Sequence, residues 1–149
     1  MRIASIQLGV VEDDKGRAID RAVHFMRQCR GADLIVLPEL WNIGFMSFDS
    51  YYSQAEPEHG PTLSAMKDMA RELDAYVHTG SFVLQDGGAY FNASYLLSPA
   101  GEVLGSYRKI HLFAFQSQES QLLTPGAEVS VVQTPLAAFG LATCFDLRF

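Results

Sequence analysis

Two amphipathic helical stretches, each followed closely by a short apolar run, constrain this chain more than any other feature. Residues 15–30 carry Ala18, Ile19, Ala22, Val23, Met26 and Cys29 at intervals of three and four, which puts them on one helical face, and Gly31 stands where a helix commonly stops. Residues 33–37 are a short run with Ile and Val that Pro38 ends, the pattern of a buried strand. Residues 2–8 alternate apolar and polar side chains as a half-buried strand does, so the first third reads as strand, helix, strand. The acidic residues from Glu12 to Asp14 stand where they would cap the helix. A second helix is expected over residues 62–73, where Leu63, Met66, Met69, Ala70 and Leu73 form one apolar face that reads as core. Residues 76–84 and 89–97 are expected strands joined through Asp86, Gly87 and Gly88, a strong hairpin signal. Shorter strands are expected over 103–108, 129–133 and 139–143. This order predicts an α/β layered fold with a mixed sheet.

Composition narrows the function classes. The chain has 149 residues with no repeat and no Pro-, Gly- or Ser-rich linker, so one compact unit is expected. A net charge of −6 without a Lys or Arg cluster argues against a nucleic-acid partner. Apolar runs fall far short of the ~18 residues of a membrane span, and no signal-peptide pattern follows Arg2, so no membrane partner and a cytoplasmic location are expected. Two cysteines are too few for a disulfide framework, which leaves packing or chemistry as their use.

Cys29 lies on the apolar stripe of the first helix and is assigned to packing. Cys144 follows the expected strand 139–143, Lys109 follows 103–108, and Glu39 follows Pro38 at the close of 33–37. Singly, each has an ordinary reading: an inert buried thiol, a solvated lysine in a turn, a capped strand end. Together they supply the parts that amide cleavage needs, since reacting groups gather at strand ends in α/β folds. A thiol with a pKa near ~8.5 is mostly protonated at neutral pH and needs a base or a cation beside it. Glu39 can take its proton and pass it to the leaving amine. Lys109 and a backbone N–H beside Cys144 can hold the oxyanion.

Leu37, Pro38, Glu39, Leu40 and Trp41, the run from Tyr107 to Phe113, and the segment from Thr143 to Phe149 resemble, in order, the three signature blocks of the nitrilase superfamily of carbon-nitrogen hydrolases. Gly60, Pro61 and Thr62, Gly80 and Ser81, and Phe91, Asn92 and Ala93 match as well, so the similarity covers the whole chain. The resemblance implies that Cys144 is the nucleophile, Lys109 the oxyanion partner and Glu39 the general base. Glu119 matches a second glutamate that helps to position these groups. It assigns His111 no proton transfer, so His111 reads as structural, and it implies no metal or organic cofactor. His24, His59 and His78 offer no metal-ligand spacing.

The implied fold is an α-β-β-α sandwich that associates into dimers or larger homo-oligomers. Here it is expected as roughly its first half: residues 1–149 form a carbon-nitrogen hydrolase domain truncated after the nucleophile block, whereas family members continue for about as many residues again. The expected reaction is hydrolysis of a small linear amide to a carboxylic acid and ammonia, in the amidase branch, with an ω-amide of a dicarboxylate as one candidate. Acyl transfer to an amine through the same thioester is an alternative. A non-catalytic piece that needs a partner is another.

Overall fold

In the computed structural model residues 1–9 and 14–149 are described; Glu12 and Asp13 of the expected acidic cap lie outside the described residues. Asp14 fulfils that role, its carboxylate accepting the Arg17 N–H at 2.9 Å at the head of α1 (Lys15–Arg27). The helix stops three residues before the periodic pattern does. Gln28 and Cys29 turn their N–H groups onto Phe25 and Met26 carbonyls three residues back, which tightens the last turn. The second helix, α2 (Pro61–Leu73), opens on Pro61, whose missing N–H costs nothing at that position, and ends at Asp74 in the left-handed region.

Strands β1 (Ile3–Ser5), β2 (Leu34–Val36), β3 (Tyr76–Asp86), β4 (Ala89–Leu97) and β5 (Val103–Arg108) form one sheet in that order. The first three run parallel because α1 and α2 provide the crossovers, and β3, β4 and β5 are antiparallel. The β3–β4 turn is Gly87 and Gly88 alone, both at positive φ, with Asp86 still paired to Ala89. Both helices pack on one sheet face, where Ala22, Met26, Leu63 and Met66 meet Ile35, Val77, Tyr95 and Leu97 in one buried cluster.

Behind the sheet, β6 (Ser130–Gln133) and β7 (Ala138–Leu141) form a hairpin whose Val132 and Leu141 bury Leu34, Leu96 and Tyr107. The layers are therefore helix, sheet, hairpin. The hairpin leaves part of the second face open: Ile3 is 53% and Val131 60% exposed. The half-buried strand expected over 2–8 is corrected to a three-residue edge strand. Ala4 and Ile6 reach the helix side, while Ile3 points to the sheet face left open.

Candidate active site

The loop leaving β2 carries Glu39, and β3 holds that loop from beneath. Leu37 N donates to the His78 carbonyl at 3.1 Å, Ser81 N to that of Pro38 at 3.1 Å, and the Trp41 indole N–H to that of Thr79 at 2.9 Å. Leu40 N donates to the Ser81 hydroxyl at 3.1 Å. The approach needs Gly80, which sits in the β3 bulge at φ +63°: a Cβ there would lie 2.1 Å from the Pro38 carbonyl oxygen. The far end of the loop is pinned by buried Glu56. Its carboxylate accepts the Thr62 N–H at 2.8 Å and the Thr62 hydroxyl at 2.6 Å, and pairs with Lys15 at 3.0 Å.

Lys109 is the first residue past β5. Its N–H donates to the Asn92 carbonyl and its own carbonyl accepts the Gly126 N–H, both at 2.9 Å, so its backbone is fixed on each side. The side chain is wholly buried and its ammonium meets two carboxylates: Glu39 Oε1 at 2.7 Å, and Glu119 at 3.0 and 3.1 Å. Glu119, also fully buried, comes from the short helix α3 (Glu119–Leu122) and accepts the Phe113 N–H at 2.8 Å. Asn92 in β4 donates its amide to Glu39 at 2.9 Å and to Glu119 at 2.8 Å. Two carboxylates accept only, so the NH2 end of that amide must face them. Burial alone would lower the Lys109 pKa, but the Glu39 hydrogen bond and the charges of Glu39 and Glu119 outweigh it and hold the ammonium above its ordinary value. The same two negative charges, after burial, push the Tyr51 phenol above its usual range; its hydroxyl donates to the Phe45 carbonyl at 2.7 Å.

Cys144 does not follow a strand directly, as the sequence suggested. Strand β7 ends at Leu141, and Cys144 opens a 3-10 turn, Cys144–Arg148, at φ +50°. A side chain in that region costs about 1–3 kcal/mol, so the surroundings must impose it. The thiol faces the Glu39 carboxylate and the Lys109 ammonium. Burial, then the nearby Glu39 carboxylate, raise its pKa, and the Lys109 charge acts the other way. The resting group is therefore a neutral thiol facing a carboxylate, and not a preformed thiolate.

The structure thus brings Glu39, Lys109, Glu119 and Cys144 together from four separate segments. Cys29 lies elsewhere, just past the end of α1 and against the helix-side core, with its thiol on the Phe25 carbonyl at 3.4 Å. His111 turns to Asp146 instead of the lysine. Sequence reasoning gave Asn92 no role, although an amide inside an otherwise apolar strand was the available signal. Among the described residues, no group of three or more His, Cys, Asp or Glu is arranged to hold a metal ion. A cavity of about 490 Å³ lies along the outer side of β5, lined by Arg108, Pro125 and Glu128 among others, and none of the four site residues borders it.

A thiol reagent should modify Cys144 well ahead of Cys29, at a rate that climbs with pH through the raised thiol pKa. Glu39→Gln removes the charge and the charged acceptor that raise that pKa, so the thiolate ultraviolet absorbance should develop at lower pH in the variant. Preferential labelling of Cys29, or a titration unmoved by Glu39→Gln, would contradict the described arrangement.

The carbon-nitrogen hydrolase family matches residues 2–149. The chain is 38% identical over 126 residues to a 2-oxoglutaramate amidase of Paenarthrobacter nicotinovorans, covering 79% of this chain and 43% of that protein. It is 35% identical over 158 aligned positions to the human omega-amidase, covering 99% and 56%. Among solved structures, a CN-hydrolase superfamily protein of Xanthomonas campestris, which carries an arsenic adduct in its active site, superposes with a TM-score of 0.91 at 29% identity, over 100% of this chain and 55% of that one. Saccharomyces cerevisiae Nit3, of branch 10 of the nitrilase superfamily, gives 0.86 at 26% identity, over 99% and 56%. The chain spans about half the length of the curated relatives it matches.

Proposed function

This chain belongs to the carbon-nitrogen hydrolase family, and we propose that it carries the reacting groups of an amidase that cleaves a non-peptide amide C–N bond through a cysteine thioester. The observation that supports this most directly is the convergence on Glu39: its Oε1 holds the Lys109 ammonium at 2.7 Å, and its charge acts on the Cys144 thiol. In the first half-reaction Cys144 sulfur bonds to the amide carbonyl carbon as its proton passes to Glu39. The carbonyl oxygen becomes an oxyanion, offset by the Lys109 charge and a backbone N–H beside Cys144. Glu39 returns the proton to the amide nitrogen, the C–N bond breaks and ammonia leaves. In the second half-reaction water attacks the thioester while Glu39 takes its proton; the C–S bond breaks, the thiol is restored and a carboxylic acid is released. Glu119 and Asn92 hold Lys109 and Glu39 in register.

The substrate we propose is a small linear amide, with an ω-amide of a dicarboxylate favoured because two relatives are a 2-oxoglutaramate amidase and an omega-amidase. We also propose that the protein works in the cytoplasm, where no helix of the described residues is long and apolar enough to cross a membrane, and as a homo-oligomer. Exposed Leu147 and Phe149, with the open part of the sheet, support association.

The test is ammonia release from a panel of short amides, with size-exclusion chromatography and light scattering, for this chain and for one extended by the carboxy-terminal half of a close relative. The extended form should release ammonia, and the 149-residue chain should associate and turn over far more slowly. Absence of ammonia release from every amide by a folded extended form would overturn the amidase reading.

A further inference from the structure

We propose that Asp146 is a positioning residue that sets the distance between the nucleophile and the lysine, by accepting with one carboxylate from the backbone N–H that precedes Cys144 and from the residues flanking Lys109; the inference rests on the amidase reading of this site. The two reacting groups sit on turns with no strand pairing between them: Lys109 lies between Tyr107 and His111, and Cys144 lies between Thr143 and Asp146 itself. Asp146 reaches all three flanking residues. Its Oδ2 accepts the Tyr107 hydroxyl at 2.7 Å and the Thr143 N–H at 2.9 Å. Its Oδ1 accepts the His111 N–H at 3.0 Å and His111 Nδ1 at 2.9 Å. Tyr107 extends the network, its hydroxyl oxygen accepting the Ile110 N–H at 3.1 Å.

These bonds cross from one turn to the other, over separations of 35 and 39 residues. They therefore fix relative placement, which neither turn can do alone. The Thr143 bond belongs to a reciprocal cap in which the Thr143 side chain accepts the Asp146 N–H, and this cap encloses Cys144 at its strained φ of +50°. The Asp146 side chain is only 6% exposed. Burial alone would raise its pKa, but the donors from Thr143, Tyr107 and His111 more than compensate and hold it below the ordinary carboxylate value. As an ionised carboxylate it only accepts, so the Asp146-facing proton of His111 must sit on Nδ1. The His111 ring is also stacked on Phe149 with centroids 3.8 Å apart, which braces the same clamp from outside. His111 thus gains a structural use through Asp146.

The experiment compares Asp146→Ala, Asp146→Asn and Tyr107→Phe in a Cys29→Ala background, within the extended, active form. Two quantities are read: kcat and KM for a short amide, and the pH dependence of Cys144 alkylation, which needs no substrate. A displacement of ~1 Å at a reacting group can cost about 100-fold in rate. Asp146→Ala should accordingly lose about 100-fold in kcat with KM changed little. Its Cys144 titration should shift down toward an ordinary thiol as the Glu39 contact loosens. Asp146→Asn keeps the shape and one carbonyl acceptor, so it should fall between Asp146→Ala and the parent, and Tyr107→Phe, losing one of the four Asp146 bonds and the Ile110 N–H contact, should lose least. If Asp146→Ala fails to fold, the other two variants decide by the same readouts. An unchanged thiol titration and kcat in Asp146→Asn would overturn the proposal. If the parent itself hydrolyses no amide, the amidase reading fails, and the alkylation profile still decides whether Asp146 positions Cys144.

Discussion

Cys144→Ala in the extended, active form should abolish ammonia release from short amides, with kcat falling by at least about 10⁴-fold, because removing a nucleophile removes the covalent route as a whole and not one contribution among several. No second thiol can replace it. Cys29 lies two residues past the end of α1 with its sulfur on the Phe25 carbonyl, packed against the helix-side core. The fold should survive the change. Alanine carries the same Cβ at φ +50°, so the backbone strain of the turn is unaltered, and the deleted sulfur is on an exposed residue whose removal leaves no core cavity. Thermal melting should stay close to the parent's while the assay falls to background. Turnover persisting in the alanine variant would remove the thioester from the mechanism.

Legibility in the sequence followed the range of the forces involved. The helical period of α1 and α2, the Gly87–Gly88 turn and the strands β3, β4 and β5 are local patterns, and the structure reproduces them to within a residue or two at most ends. The ends that moved did so for tertiary reasons. Strand β7 ends at Leu141 because the chain must turn to cap Cys144 onto Asp146, a contact that depends on Tyr107 and His111 more than thirty residues earlier. Helix α3 was not foreseen: four residues give no period to read, and its Glu119 is buried only because Lys109 and Asn92 lie opposite. Gly80 was noted as a matching residue, but its physical reason, a carbonyl oxygen 2.1 Å from where a Cβ would stand, is visible only once β2 and β3 are side by side. The alternation over residues 2–8 misled for the converse reason, since alternation records which face a side chain takes and not whether anything covers that face.

Lys109→Met should be the most destabilising single change in the site, at about 3–5 kcal/mol, the cost of breaking a buried ion pair by removing one partner. Methionine fills much of the same space, so the loss comes from charge and not from a cavity. Glu119 is fully buried and Glu39 only 17% exposed, and without the ammonium both keep Asn92 as a donor while losing their cation. Against a domain stability of about 5–15 kcal/mol this is a large fraction. Adding Glu119→Gln to Lys109→Met should recover part of the loss, since the groups are in contact and their effects are not additive. Cys144 provides a second, independent readout. Lys109 lowers its thiol pKa, so the titration should move further up in Lys109→Met and down in Glu39→Gln. Urea unfolding measures the first effect and thiolate absorbance the second. A Lys109→Met variant within about 1 kcal/mol of the parent, well below the expected ion-pair cost, would mean that the ammonium does not bind the two carboxylates in solution, and with it would go the electrostatic basis of the proposed oxyanion stabilisation.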